Sequence, residues 1–119
     1  MTLRRRAMGA LEEHVMDYLW AVDAPASAAD VQHAVAPELA YTTMTTVLTR
    51  LVDKGRLERA RVGRSFVYSP VRSEAEHRAA TMTDTLGAAV DRTAVLSRFI
   101  DSLATDDVDV LRRILDEDH

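Results

Sequence analysis

Between Thr42 and Lys54 the chain sets five threonines, at positions 42, 43, 45, 46 and 49, ahead of two cations, Arg50 and Lys54. Threonine is a mediocre helix former, because its branched side chain loses rotamer freedom against the preceding turn. Helix stability alone does not select five of them. A short hydroxyl beside a methyl does suit a surface pressed into the major groove of DNA. The hydroxyl can bond a phosphate or a base edge and the methyl can meet the thymine methyl, where longer side chains would hold the surface away. Arg50 and Lys54, one helical turn apart, would reach a phosphate or a guanine edge. A second cationic group follows, with Arg59, Arg61 and Arg64 around Gly63. Such a group beside a reading helix can track the phosphate backbone or enter the minor groove. Arg4, Arg5 and Arg6 offer a further phosphate contact near the N-terminus.

Catalytic chemistry finds little to work with. The four histidines, His14, His33, His77 and His119, are scattered, and none stands at metal-ligand spacing from another histidine or from a carboxylate pair. Asp106-Asp107 and Asp116-Glu117-Asp118 read as helix-terminal or tail charges rather than a catalytic pair. Cysteine is absent, which removes disulfides, thiolate metal sites and sulfur nucleophiles. The expectation is a protein that is not an enzyme and needs neither metal nor cofactor.

The threonines and arginines need elements to hold them. Leu11, Val15, Tyr18, Leu19 and Val22 recur at helical spacing and predict a first helix over Gly9 to Val22, with Trp20 near its end. Asp23-Ala24-Pro25-Ala26-Ser27 breaks it. Ser27 with Asp30 then forms a capping signal for a short helix over Ala28 to Val35, which Pro37 ends. Met44, Val47, Leu48 and Leu51 fall at i, i+3, i+4 and i+7 of a third helix over Tyr41 to Lys54, with Gly55 where a left-handed cap belongs. The short Glu38-Leu39-Ala40 connection makes the last two a helix-turn-helix. After Gly55 the period changes to that of two strands, Leu57 to Val62 and Ser65 to Ser69, around a Gly63-Arg64 turn, with Pro70 closing the unit. A lone hairpin is marginal in water, so Leu57, Phe66 and Tyr68 are expected to lean on the helices.

From Ser73 onward three helices are predicted, over Glu74 to Val90, Arg92 to Ala104 and Asp106 to Glu117. Two apolar stripes run along the last two: Leu96, Phe99, Ile100 and Leu103, then Val108, Leu111, Ile114 and Leu115. Helices this short cannot bury such stripes alone, so they need one another or the same helices of a second copy. That makes residues 73–119 a candidate helical dimerisation domain behind a DNA-binding domain at residues 1–72.

Charge follows the same division. The net charge of −4 looks wrong for a nucleic-acid binder, yet Met1 to Arg72 carries ten Lys and Arg against eight Asp and Glu, while Ser73 to His119 carries five against eleven. A mildly basic front meets an anionic partner and the acidic back stays solvated or meets protein. At 119 residues, 47% hydrophobic and 29% charged, the chain has the composition of a folded domain plus an appendage. No apolar run approaches the roughly 20 residues of a membrane span and the N-terminus lacks the apolar stretch of a secretory signal, so a cytoplasmic location is expected.

These motifs also resemble a known family. The run from Ala40 through Thr42-Thr43-Met44-Thr45-Thr46-Val47-Leu48-Thr49-Arg50-Leu51, then Lys54-Gly55 and Phe66-Val67-Tyr68-Ser69-Pro70, is similar to the BlaI/MecI penicillinase repressors. Leu11-Glu12 and Val15-Met16-Asp17-Tyr18-Leu19-Trp20 resemble that family's first helix. The resemblance implies a mainly α fold with a small β-hairpin: an N-terminal winged helix-turn-helix and a C-terminal helical dimerisation domain. It implies a repressor that binds palindromic operators before resistance or related genes as a homodimer. Thr42, Thr43, Thr45, Thr46 and Arg50 would face the groove, although the family often has a basic residue where this chain has Thr42 or Thr45. With the cations read above, the expected DNA contacts are Thr42, Thr43, Thr45, Thr46, Arg50, Lys54, Arg61 and Arg64. The resemblance also implies a membrane sensor metalloprotease that inactivates the repressor by cutting before a phenylalanine. The matching bond is Arg98-Phe99, with arginine where the family has asparagine. Two other readings stay open: a winged helix used for protein contact, and a small-molecule-sensing regulator without protease control.

Overall fold

A computed structural model describes residues 2–118 of the chain, with side chains for residues 8–117. The side chains of Arg4, Arg5 and Arg6, and His119 as a whole, lie outside the described residues. The chain divides into two compact units, Met1–Glu76 and His77–His119.

The first unit is three helices and a small sheet. α1 (Thr2–Val22) ends where Asp23 turns left-handed at φ 50°, a conformation that a short polar side chain tolerates better than most. Strand β1 (Ala26–Ser27) follows, then α2 (Ala28–Val35). Ser27 caps α2 through a complete capping box: its hydroxyl accepts from the Asp30 N–H at 3.1 Å, and the Asp30 carboxylate accepts from the Ser27 N–H at 3.3 Å. The turn into α3 (Tyr41–Asp53) is held by the Gln32 side-chain amide, which donates to the Leu39 carbonyl.

α3 stops on a Schellman motif. Gly55 takes φ 77°, its N–H donates to the Val52 carbonyl at 2.9 Å, and the Arg56 N–H donates to the Leu51 carbonyl at 2.9 Å. Strands β2 (Leu57–Val62) and β3 (Ser65–Pro70) form the hairpin. Pro70, expected to lie just beyond the strand, is its last residue and sits opposite Leu57. The sheet has a third member within the segment that breaks the first helix: β1 pairs antiparallel with β3, Ala26 opposite Tyr68 and Ser27 opposite Val67, in the order β1-β3-β2. The Trp20 indole N–H donates to the Arg72 carbonyl at 3.0 Å and ties the end of α1 to the chain leaving the sheet.

Every buried apolar residue among those described belongs to this unit. Val15, Met16 and Leu19 of α1, Val31 of α2, Met44, Val47, Leu48 and Leu51 of α3, Leu57 of β2 and Tyr68 of β3 form one cluster. α4 (Glu74–Gly87) and α5 (Arg92–Ser102) bury no residue, and α6 (Thr105–Asp118) follows them in the second unit. All three helices were expected, but α4 stops at Gly87 rather than Val90, and α5 at Ser102 rather than Ala104. Asp91 interrupts the run as the N-cap of α5, its carboxylate accepting from the Ala94 N–H at 3.0 Å. No described helix is long and apolar enough to cross a membrane.

One charged group is buried with the core. The Glu12 carboxylate is held by the Lys54 ammonium, Nζ standing 2.6 Å from Oε1 and 2.8 Å from Oε2. A carboxylate out of water must be paired, and this pair ties α1 to the end of α3. Replacing Lys54 with methionine leaves the carboxylate unpaired. Because Lys54 itself is half exposed, the expected loss is about 1–2 kcal/mol rather than that of a fully buried pair. Adding Glu12→Met should recover part of that loss in urea unfolding, and strictly additive losses would contradict the pairing.

Candidate nucleic-acid interface

α3 cannot bury both of its faces. At about 100° per residue, Thr42, Thr46 and Thr49 lie opposite the fully buried line of Met44, Val47, Leu48 and Leu51. They are exposed, as is Arg50 on the same flank. Thr43 and Thr45 sit at the two edges of this face and are half buried. Asp53 also points outward, but at the C-terminal end, away from the turns that enter a groove. At the other end Ala40 provides no side-chain cap; its carbonyl accepts from the Thr43 and Met44 N–H groups at 3.0 and 3.2 Å, which leaves those of Tyr41 and Thr42 open to an external acceptor such as a phosphate oxygen.

Two threonine hydroxyls are already committed within the helix. Oγ1 of Thr45 and Oγ1 of Thr46 both donate to the Thr42 carbonyl at 2.9 Å. Lys54 is committed as well. It was expected among the DNA contacts, but its ammonium is chelated by the buried Glu12 carboxylate, so it serves the fold. Among the described residues, Arg50 and Arg64 have no acidic partner within ion-pair distance.

The hairpin changes character along its length. Antiparallel register puts Leu57, Arg59 and Arg61 on the face shared by Phe66 and Tyr68, since Arg59 stands opposite Tyr68 and Arg61 opposite Phe66. At the base this face is core, through Leu57 and Tyr68; further out it is cationic. Phe66, expected to pack on the helices, does so only in part. Its ring also carries both guanidinium groups, with Arg59 4.5 Å and Arg61 5.6 Å from its centroid. The sequence reading missed this platform, although the cross-strand register of a two-residue turn contains the signal. At the tip, Gly63 takes φ 63° as the first central residue of the turn, which suits a type II′ hairpin, and Arg64 beside it is exposed.

A helix offering small polar groups, next to a cationic two-stranded tip, is a winged helix with its reading face open. Residues 8–117 match the penicillinase repressor family. The chain belongs to that family. It is 39% identical over 115 residues to the transcriptional regulator BlaI of Mycobacterium tuberculosis, in two strains, covering 92% of this chain and 83% of the relative. Solved structures overlap it more loosely. The PcaV transcriptional regulator of Streptomyces coelicolor, in complex with its natural ligand, shares 22% identity at a TM-score of 0.47, over 91% of this chain and 74% of that one. A ZitR variant of Lactococcus lactis shares 15% at 0.45, over 91% and 70%. The family is one of transcriptional repressors, so this protein is a penicillinase-type repressor and not an enzyme.

The platform can be tested in the repressor itself. Phe66→Leu keeps an apolar side chain against the core but removes the aromatic face, which is worth about 0.5–1 kcal/mol per exposed cation. Losing two such contacts is expected to lower folding stability by about 1–2 kcal/mol, and duplex affinity is expected to fall by up to about tenfold because the released arginine side chains must be ordered again on binding. Equal binding in a titration of both proteins would mean that the ring does not position the arginines for DNA.

Proposed function

We propose that the repressor binds an inverted-repeat operator as a homodimer, each α3 lying in a major groove and each hairpin tip following the adjacent backbone or minor groove. The observation that carries this reading is the uncovered line of Thr42, Thr46 and Thr49 beside an uncommitted Arg50, directly opposite the core face of the same helix. The contact set is Thr42, Thr43, Thr45, Thr46, Arg50, Arg61 and Arg64, without Lys54. Small side chains let the helix approach, Arg50 is placed for a guanine edge or a phosphate, and the arginines of the hairpin neutralise phosphates.

The second unit supplies the reason for a dimer. Leu96, Phe99, Ile100, Ile114 and Leu115 are exposed, while Leu103, Val108 and Leu111 are only half buried. An apolar groove of about 460 Å³ between α4 and α5, lined by Met82, Leu86, Val95, Leu96 and Phe99 among others, belongs to the same surface. So much exposed apolar surface marks an interaction site, and we assign it to a second copy rather than to a small ligand because the stripes continue beyond the groove along α5 and α6. The working division is therefore residues 1–72 for DNA and 73–119 for dimerisation.

Release by a membrane sensor metalloprotease fits this arrangement. Arg98-Phe99 lies inside α5, with Phe99 on the apolar stripe. Cutting there would require α5 to open and would cut through the dimerisation surface.

The test is binding of the purified chain to inverted-repeat duplexes selected from genomic DNA, over a range of salt. A dimer whose affinity falls steeply with salt is expected. Arg50→Ala should weaken specific binding by about 1–3 kcal/mol if it reads a base edge. Deletion of residues 91–119 should give monomers that hold the operator poorly, because the half-sites lose their linkage. Unchanged binding by Arg50→Ala contradicts the groove assignment, and a truncated chain that still dimerises contradicts the role of the tail.

A further inference from the structure

The back-bonded hydroxyls of α3 bear on what the helix can read. A threonine hydroxyl has one proton and two lone pairs. In Thr45 and Thr46 that proton is given to the Thr42 carbonyl, so the groups they turn outward are lone pairs and methyls. Thr81, Thr83 and Thr85 of α4 bond their own i−4 carbonyls in the same manner, so this is the ordinary resting state of threonine in these helices. Thr49, one turn further along α3, has no such bond among the described residues and keeps its proton for an external acceptor.

The major-groove edges differ in polarity. Guanine presents two acceptors, N7 and O6, whereas adenine N6 and cytosine N4 present amino donors, and thymine adds a methyl. We infer that Thr45 and Thr46 act as hydrogen-bond acceptors for exocyclic amino groups, adenine N6 or cytosine N4, with their methyls available to a neighbouring thymine methyl. Facing a guanine O6 or N7, the same hydroxyls would set lone pair against lone pair unless they first broke the bond to Thr42. The inference deepens the reading of α3 as the helix that enters the groove, and rests on it. It divides the work along one face: Thr45 and Thr46 select amino groups, and Arg50, which only donates, is left for acceptor edges.

The experiment pairs protein variants with single-atom-group changes in the selected operator. Adenine is replaced by purine and cytosine by pyrimidin-2-one, which delete the amino group; guanine is replaced by 2-aminopurine, which deletes O6; and thymine is replaced by uracil. Each duplex is titrated with the full chain and with Thr45→Val, Thr46→Val, Thr45→Ser, Thr46→Ser and Arg50→Ala. For at least one base, deleting the amino group should weaken wild-type binding about five- to tenfold, the worth of one neutral hydrogen bond, and should weaken the corresponding valine variant no further. The serine variants should keep that sensitivity and lose only the thymine-to-uracil effect. Coupling of either valine variant to O6 deletion, or no coupling to any amino group, overturns the inference. If Arg50→Ala still weakens binding in that case, α3 remains the reading helix. If the wild-type chain enriches no sequence, both readings fall.

Discussion

α3 buries one face in the centre of the core and leaves the opposite face in solvent, and the rest of the structure depends on that double position. Four of its side chains are fully buried among α1, α2 and the sheet, which sets the rotation of the helix about its axis. Once that rotation is set, the opposite line must face out, whatever residues occupy it. A helix rotated by one residue would bury a threonine and expose a leucine. The hydrophobic effect that stabilises the unit therefore also aims the reading face. The two ends of α3 are held independently, by Gln32 reaching into the turn before it and by the Schellman motif after it.

The hairpin obeys a related economy. Its inner face needs apolar residues where it leans on the helices and cations where it extends past them, and strand alternation lets one face serve both ends. Phe66 stands at the change of character. It touches the core on one side and supports two guanidinium groups on the other, so that two side chains with many rotamers are held beside the hairpin. β1 adds only two residues, yet it pairs the far edge of β3 and makes Ser27 both the end of a strand and the cap of α2. Ser27 thereby joins the sheet directly to the first helix of the helix-turn-helix.

The second unit follows different rules. Its helices are well capped locally, by Asp91 on α5 and by the Ser73–Glu76 box at the start of α4, where bonds from the Ser73 backbone and hydroxyl hold the Glu76 carboxyl below its usual range. Yet α4 and α5 bury no residue, and the stripes of α5 and α6 stay largely in solvent. Isolated short helices are marginal in water, so local capping without burial is half of a folded state, which the proposed dimer would complete with the apolar surface of a second copy. Acidic residues on the remaining faces keep such a surface soluble while leaving its stripes available.

Much of this was legible in the residues alone, and the legible part was local. Ser27 with Asp30, Gly55 after Leu51, Gly63 at a hairpin tip and the i, i+3, i+4, i+7 spacing of Met44, Val47, Leu48 and Leu51 each act within one or two turns of chain, so a linear pattern carries them. What the sequence could not supply depended on partners far apart in the chain. Lys54 reads as a DNA-facing cation until folding brings it against Glu12, 42 positions away, where a buried carboxylate has the stronger claim on it. The pairing of β1 with β3 and the two arginines over Phe66 likewise follow from strand register and burial. Residue types determined that this protein would have a threonine-covered helix and a basic hairpin. Only tertiary packing decided which cations were left uncommitted, because a side chain's charge goes to whichever partner the fold brings within reach.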